Sequence, residues 1–183
     1  MIAKQMVKIN PNRSTLVLID LQSRLMPVIH QGEEVLKQCI KIAKIAKLLN
    51  IHIVGTEQSP QSLGHNVDAI AQLCKTTVAK DRFDACQDGL INALSKNREH
   101  LILAGCETHV CVMQTALELV RQNFKVSILV DAVGSRRSLD RDIALHRLGS
   151  SGATLLTTEM LAFEWLGTAS NESFKDALAI IKS

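Results

Sequence analysis

The feature that most constrains this chain is its rhythm: short, nearly continuous apolar runs recur along it, each followed by a longer amphipathic stretch. "STLVLID" (14–20), "IHIVGT" (51–56), "KTTVAK" (75–80), "HLILAG" (100–105), "KVSILVDA" (125–132) and "ATLLTT" (153–158) read as strands. Their apolarity barely alternates, which is what strands covered on both faces require. Between the first two, "GEEVLKQCIKIAKIAKLLN" places Val35, Leu36, Ile40, Ile42, Ala43, Ala46 and Leu49 near the helical repeat. Similar patterns predict helices over 65–73, 88–97, 109–122, 138–150 and 172–182, with a shorter one near 159–166. Strict alternation with crossovers of this length implies parallel strands joined by right-handed connections. The expected fold class is therefore α/β, a three-layer α/β/α sandwich on a doubly wound, Rossmann-like, six-stranded parallel sheet. With 183 residues and no repeat, linker or low-complexity tract, a single domain over 1–183 is expected.

In a sheet of this kind, ligands bind outside the carboxyl ends of the strands, near the switch in strand order. Polar residues collect at that edge. Asp20 ends the first strand, Glu57 and Gln58 follow the second, Lys80 ends the third, Gly105 to Cys111 follow the fourth, and Asp131 ends the fifth. Other function classes fit poorly. The net charge is only +3, basic residues are scattered, and aromatics make up 3% with no Tyr, so little could track phosphates or stack on bases. No apolar run approaches the roughly 18 to 20 residues of a membrane span, and "MIAKQMVKINPNRS" has no apolar core of a secretory signal. The five cysteines are odd in number and irregularly spaced, which points to reduced thiols and cytoplasmic residence.

"LILAGCETHVCVMQTALEL" (101–119) carries the chemistry. Cys111 stands at the start of a predicted helix, with Thr108 placed to cap it. A thiol there feels the positive end of the helix dipole, which favours its thiolate form. The bland reading is a small buried hydrophobe. Asp20 closes an apolar run, where a carboxylate is costly unless paired; it is either a satisfied cap or a charge partner for Lys80. Lys80 is either a strand-end cation reaching water or part of the same unit. Together the three form a set in which the carboxylate takes the thiol proton, the ammonium steadies the thiolate and helix-start N–H groups receive an oxyanion. Zinc on Cys106, His109 and Cys111 is disfavoured because three ligands in one short turn do not converge easily on a tetrahedral centre. A Cys106/Cys111 redox pair lacks the C-x-x-C spacing.

"LVLIDLQSRLMPVI", Lys80 in "VAKDRF", "GCETHVCVMQTALEL" and "VSILVDAVGSR" resemble the isochorismatase-like hydrolase superfamily, the cysteine hydrolases, from about residue 13 to the C-terminus. "GTEQSPQSLG", "ETHVCVMQTALEL" and "TTEMLAFEWLG" are most similar to the isochorismatase domain-containing subgroup. By motif position, the resemblance implies a catalytic Asp20, Lys80 and Cys111. It also implies a cis peptide at Cys106–Glu107, an oxyanion hole from the N–H groups of Glu107 and Cys111, and a homo-oligomer. The departures are informative too. The loop "TEQSPQSLGHN", with His65 several residues on, lacks the Asp-x-His motif of the zinc-assisted nicotinamidases, so no metal and no cofactor are expected. Siderophore-pathway isochorismatases lack the nucleophilic cysteine that is present here. Where many members carry a second aromatic residue after the lysine, this chain has Phe83, Asp84, Ala85 and Cys86.

The expected function is a cytoplasmic hydrolase acting on a small amide or related carbonyl compound through a thioester, with Gln58 and Phe83 as substrate contacts. Its partners are a small-molecule substrate and further copies of itself, with neither nucleic acid nor membrane. His109 is expected to face solvent at the helix start. The rivals are a catalytically silent binding or scaffold protein of the same fold and a thiol redox sensor.

Overall fold

The computed structural model describes residues 8–95 and 99–183, so the start of the N-terminal segment and residues 96 and 97 of the helix predicted over 88–97 lie outside the described residues. Six apolar runs become the strands β1 (Ser14–Ile19), β2 (His52–Gln58), β3 (Thr76–Lys80), β4 (His100–Cys106), β5 (Lys125–Gly134) and β6 (Thr154–Leu156). They form one parallel sheet in the order β3-β2-β1-β4-β5-β6. The chain winds outward from β1 to β3, returns to the other side of β1 as β4, and winds outward again. The switch in strand order therefore lies between β1 and β4, where Asp20 and the "GCETHVC" turn emerge.

The helices are α1 (Gly32–Leu48), α2 (Pro60–Leu63), α3 (Asp68–Ala71), α4 (Leu90–Ala93), α5 (Met113–Arg121), α6 (Ser138–Ser150), α7 (Thr158–Leu166) and α8 (Phe174–Lys182). Two predicted helices shrink to single turns for local reasons. The one over 65–73 starts late because Asn66 forms a bridge to Gln22 and gives its N–H to Glu57, so helical geometry begins at Asp68. The one over 88–97 is broken at Gly89, whose φ of 114° separates a 3-10 turn (Ala85–Asp88) from α4. The helix predicted over 109–122 opens with a π turn, Thr108–Val112, before α5.

Period-two alternation along β1 sorts the core into two layers. Leu16 and Leu18 face Ile42 and Ile45 of α1, Ile70 of α3 and Trp165 of α7. Val17 and Ile19 face the other way, onto Leu90 of α4, Leu119 of α5 and Leu148 of α6. Each of these side chains is at most 2% exposed, worth about 1.5 to 3 kcal/mol apiece. The edge strands β3 and β6 are the exceptions: their residues before Lys80 and Leu156 are largely exposed.

Two local devices shape the carboxyl edge. Gly105 has φ 117° and lies in register with Ile19; a Cβ there would run into the Ile19 carbonyl oxygen, so only glycine lets β4 approach the residue that carries Asp20. In β5 the register with β4 jumps between Leu103↔Ile128 and Gly105↔Val133, leaving residues 129–132 as a bulge. Arg141 of α6 holds that bulge by donating to the Val130 and Val133 carbonyls, and the displaced strand end carries Ser135 and Arg136 toward the turn that bears Cys111.

Candidate active site

Asp20 leaves β1 in the left-handed region, at φ 51°. Its N–H donates to the Thr56 carbonyl at 3.2 Å, and its Oδ1 accepts from the Thr56 hydroxyl at 2.7 Å. Its Oδ2 stands 2.8 Å from Lys80 Nζ, and neither side chain has any solvent exposure. Such a buried pair persists because each charge offsets the other's desolvation. Lys80 spends its remaining donors on Gln58 Oε1 at 2.7 Å and on the Arg82 carbonyl at 3.4 Å. Beyond the ion pair, Asp20 Oδ2 accepts no hydrogen bond from the described residues, so it retains lone-pair capacity for an incoming proton.

Cys111 sits inside the π turn, 6% exposed, with its Sγ 3.9 Å from Gln58 Oε1. It packs in the layer of Val17, Ile19 and Val54. Burial pushes its thiol up to about 12; the Asp20 carboxylate adds to the rise and the Lys80 ammonium opposes it. This corrects the expectation of a depressed thiol. Cys111 is not at the first turn of a regular helix but three residues into a π turn, where desolvation outweighs the dipole. The raised thiol stands beside the Asp20/Lys80 salt bridge.

Thr108 does not cap the helix as expected. Glu107 takes the cap position with extended backbone, and the Thr108 hydroxyl is buried without a partner among the described residues. The Cys106–Glu107 peptide bond is cis, as the resemblance implies. The Glu107 carboxylate accepts from both the backbone N–H and Nε of Arg136, each at 3.0 Å, tying the π turn to the end of β5. His109 does not stand free in solvent; it is half-buried, with Nδ1 3.0 Å from the Ser135 hydroxyl.

The structure thus brings Asp20, Lys80, Cys111 and Gln58 into one cluster with Glu107 at its margin. Phe83, in the segment after β3, is 51% exposed. Sequence reasoning missed three supporting residues: Thr56, Gln22 and Arg136. The "D-x-Q" of "IDLQS" is the only local trace of Gln22, and nothing local marks the other two. Cys106 lies on the opposite face of the sheet from Cys111, with its Sγ 3.9 Å from Met26 Sδ, and both are free thiols. That placement does not favour a redox pair. His65 pairs with Glu57, Nδ1 to Oε2 at 3.0 Å, and among the described residues no group of three or more His, Cys, Asp or Glu is arranged to hold a metal ion. Among the same residues no helix is long and apolar enough to cross a membrane.

Known proteins bear on this cluster in three ways. The isochorismatase domain family model matches residues 14–160, which include every member of the cluster. Isochorismatase family protein 1A of Dictyostelium discoideum is 34% identical over 97% of this chain and 90% of its own length. The solved structure of a protein described as the MAR1 ribonuclease of Caenorhabditis elegans is 32% identical over 97% of this chain and 93% of its own, with a TM-score of 0.91. At 23% identity, covering 96% of this chain and 89% of that one with a TM-score of 0.89, YcaC of Escherichia coli, described as an octameric hydrolase of unknown specificity, shares the fold. The chain belongs to the isochorismatase family of hydrolases.

Proposed function

We propose that this protein hydrolyses the C–N bond of small amides or related carbonyl compounds, with Cys111 as nucleophile and a thioester as intermediate. The observation that carries the reading is the solvent-free Asp20/Lys80 pair, 2.8 Å apart and acting on the thiol of Cys111. A thiol pushed up to about 12 is a poor nucleophile until its proton leaves, so proton transfer to Asp20 accompanies attack. As the Cys111 Sγ–C bond forms, the thiol proton passes to Asp20 and the carbonyl oxygen becomes an oxyanion held by the N–H groups of Glu107 and Cys111. Lys80 balances the negative charge while it sits on sulfur. Asp20 then protonates the leaving nitrogen, the C–N bond breaks and the thioester remains. Asp20 next takes a proton from water, the hydroxide adds to the thioester carbon, the C–S bond breaks, and Asp20 returns the proton to sulfur.

Gln58, beside the thiol, and the exposed Phe83 contact the substrate. No step calls for a metal or a cofactor. The burial of the trio, with Cys111 only 6% exposed, supports a small substrate over a polymer. The ribonuclease description of the C. elegans protein makes RNA the competing substrate. The protein acts in the cytoplasm as a homo-oligomer. The deciding experiment incubates it with small amides, ureas and carbamoyl compounds and, in parallel, with RNA. Ammonia or amine release with an acyl adduct on Cys111 supports the reading; RNA cleavage that survives Cys111→Ser refutes it.

A further inference from the structure

We propose that Gln22 is a positioning residue for the hydrolytic site: acting through Gln58, it fixes the Lys80 ammonium between Asp20 and Cys111. The inference rests on the reading of Asp20, Lys80 and Cys111 as one catalytic unit. It starts from a gap in the sheet. Asp20 turns into left-handed geometry, so the main chain of β1 leaves the β2 ladder at that residue. Two residues on, the fully buried side chain of Gln22 supplies the missing rungs. Its Oε1 accepts from the Gln58 N–H at 2.8 Å, its Nε2 donates to the Gln58 carbonyl at 3.0 Å, and the same nitrogen donates to the Gly64 carbonyl. A primary amide thereby imitates a strand residue and clamps the main chain of Gln58 from both its donor and its acceptor.

What the clamp holds is functional. The Gln58 side chain places Oε1 2.7 Å from Lys80 Nζ and 3.9 Å from Cys111 Sγ, while its Nε2 is tied to the Asp81 carbonyl at 2.7 Å and the Ser59 hydroxyl at 3.2 Å. The chain of contacts from Gln22 through Gln58 to Lys80 is unbroken, and it ends on the cation that opposes the rise in the Cys111 thiol. If the clamp were only a loop fastener, stability would depend on it and thiol chemistry would not. If it positions Lys80, removing it lets the ammonium drift. At close range a unit charge outweighs an amide dipole, so the net effect is a less reactive thiol.

The test follows alkylation of Cys111 by iodoacetamide across pH, read by peptide mass spectrometry, and needs no substrate. Wild type, Lys80→Met, Gln58→Met, Gln22→Met and the Gln22→Met/Gln58→Met double variant are compared. The proposal expects Gln22→Met and Gln58→Met each to slow the reaction at pH 7 by about threefold to tenfold and to move the profile upward. The double variant should match Gln58→Met alone, because both changes act through one residue. A Gln22→Met protein with a lowered melting temperature and a wild-type profile overturns the proposal. Should Gln22→Met fail to fold, Gln58→Met decides: an upward shift supports the chain of contacts, and a wild-type profile breaks it. Lys80→Met separates the two levels. If its profile is also that of wild type, the catalytic unit itself fails; if it moves and Gln22→Met does not, only the role of Gln22 falls.

Discussion

Lys80→Met removes the cation from a pair whose side chains are both fully buried and 2.8 Å apart. At an effective dielectric of about 20, charges at that distance attract by about 6 kcal/mol, most of which offsets the cost of taking both out of water. Losing the ammonium leaves the Asp20 carboxylate buried with only the Thr56 hydroxyl and its own backbone bonds, so a loss of about 3 to 5 kcal/mol in folding stability is expected. Methionine has nearly the length of lysine, so little of that loss comes from a cavity. The Lys80→Met/Asp20→Asn double variant, which removes both charges, should recover most of it. Urea unfolding of the four proteins at pH 7, followed by far-UV circular dichroism, gives the cycle. A Lys80→Met loss under about 1 kcal/mol, or a double variant no more stable than Lys80→Met, would show that the pair is solvated and the argument for a dry charge pair is wrong.

Asp20→Asn, which also loses stability because it leaves Lys80 buried without its partner, should still bind substrate in its folded form but lower kcat by about 10² to 10⁴, since an amide cannot accept the thiol proton; steady-state kinetics on any substrate found in the amide screen checks this, and near wild-type kcat would make Asp20 structural. Gly105→Ala should destabilise strongly and disturb Asp20, because the new Cβ meets the Ile19 main chain at φ 117°; a melting temperature within a few degrees of wild type would contradict the close approach. Alkylation of Cys111 in the wild-type protein should rise about tenfold per pH unit from 7 to 10, with no plateau near the ordinary thiol value of about 8.5, because burial pushes the thiol up to about 12. The sign is that of a group held protonated in the folded state, whose reactive form gains population only as pH climbs; a plateau near pH 8 would refute it.

Much of the fold was legible because parallel strands buried on both faces must be continuously apolar, which is how β1 and β4 stand out in "TLVLI" and "LILA". Asp20 was legible for the converse reason: a carboxylate closing such a run demands a partner. Lys80 and Cys111 were ambiguous by chemistry alone, and their expected roles came from the family resemblance. What escaped was set by distant chain segments. The rise in the Cys111 thiol comes from its burial in the same core layer as Val17, Ile19 and Val54, which no local pattern around "THVC" reveals. Gln22 reads as an ordinary loop residue until its amide is seen filling the ladder beside Gln58. The Glu107–Arg136 tie depends on the β5 bulge, and the shortening of the helices around α3 and α4 depends on an Asn66 bridge and a glycine conformation.

The proposed mechanism requires a covalent acyl intermediate on Cys111. Its most direct test is rapid acid quench of the protein during turnover of an amide substrate, followed by mass spectrometry of the peptide containing Cys111. The acyl mass of the substrate should appear on Cys111, accumulate before steady state and be absent from Cys111→Ser, which should be inactive. Turnover by Cys111→Ser at a rate near wild type, with no adduct on any cysteine of the wild-type protein, would contradict it.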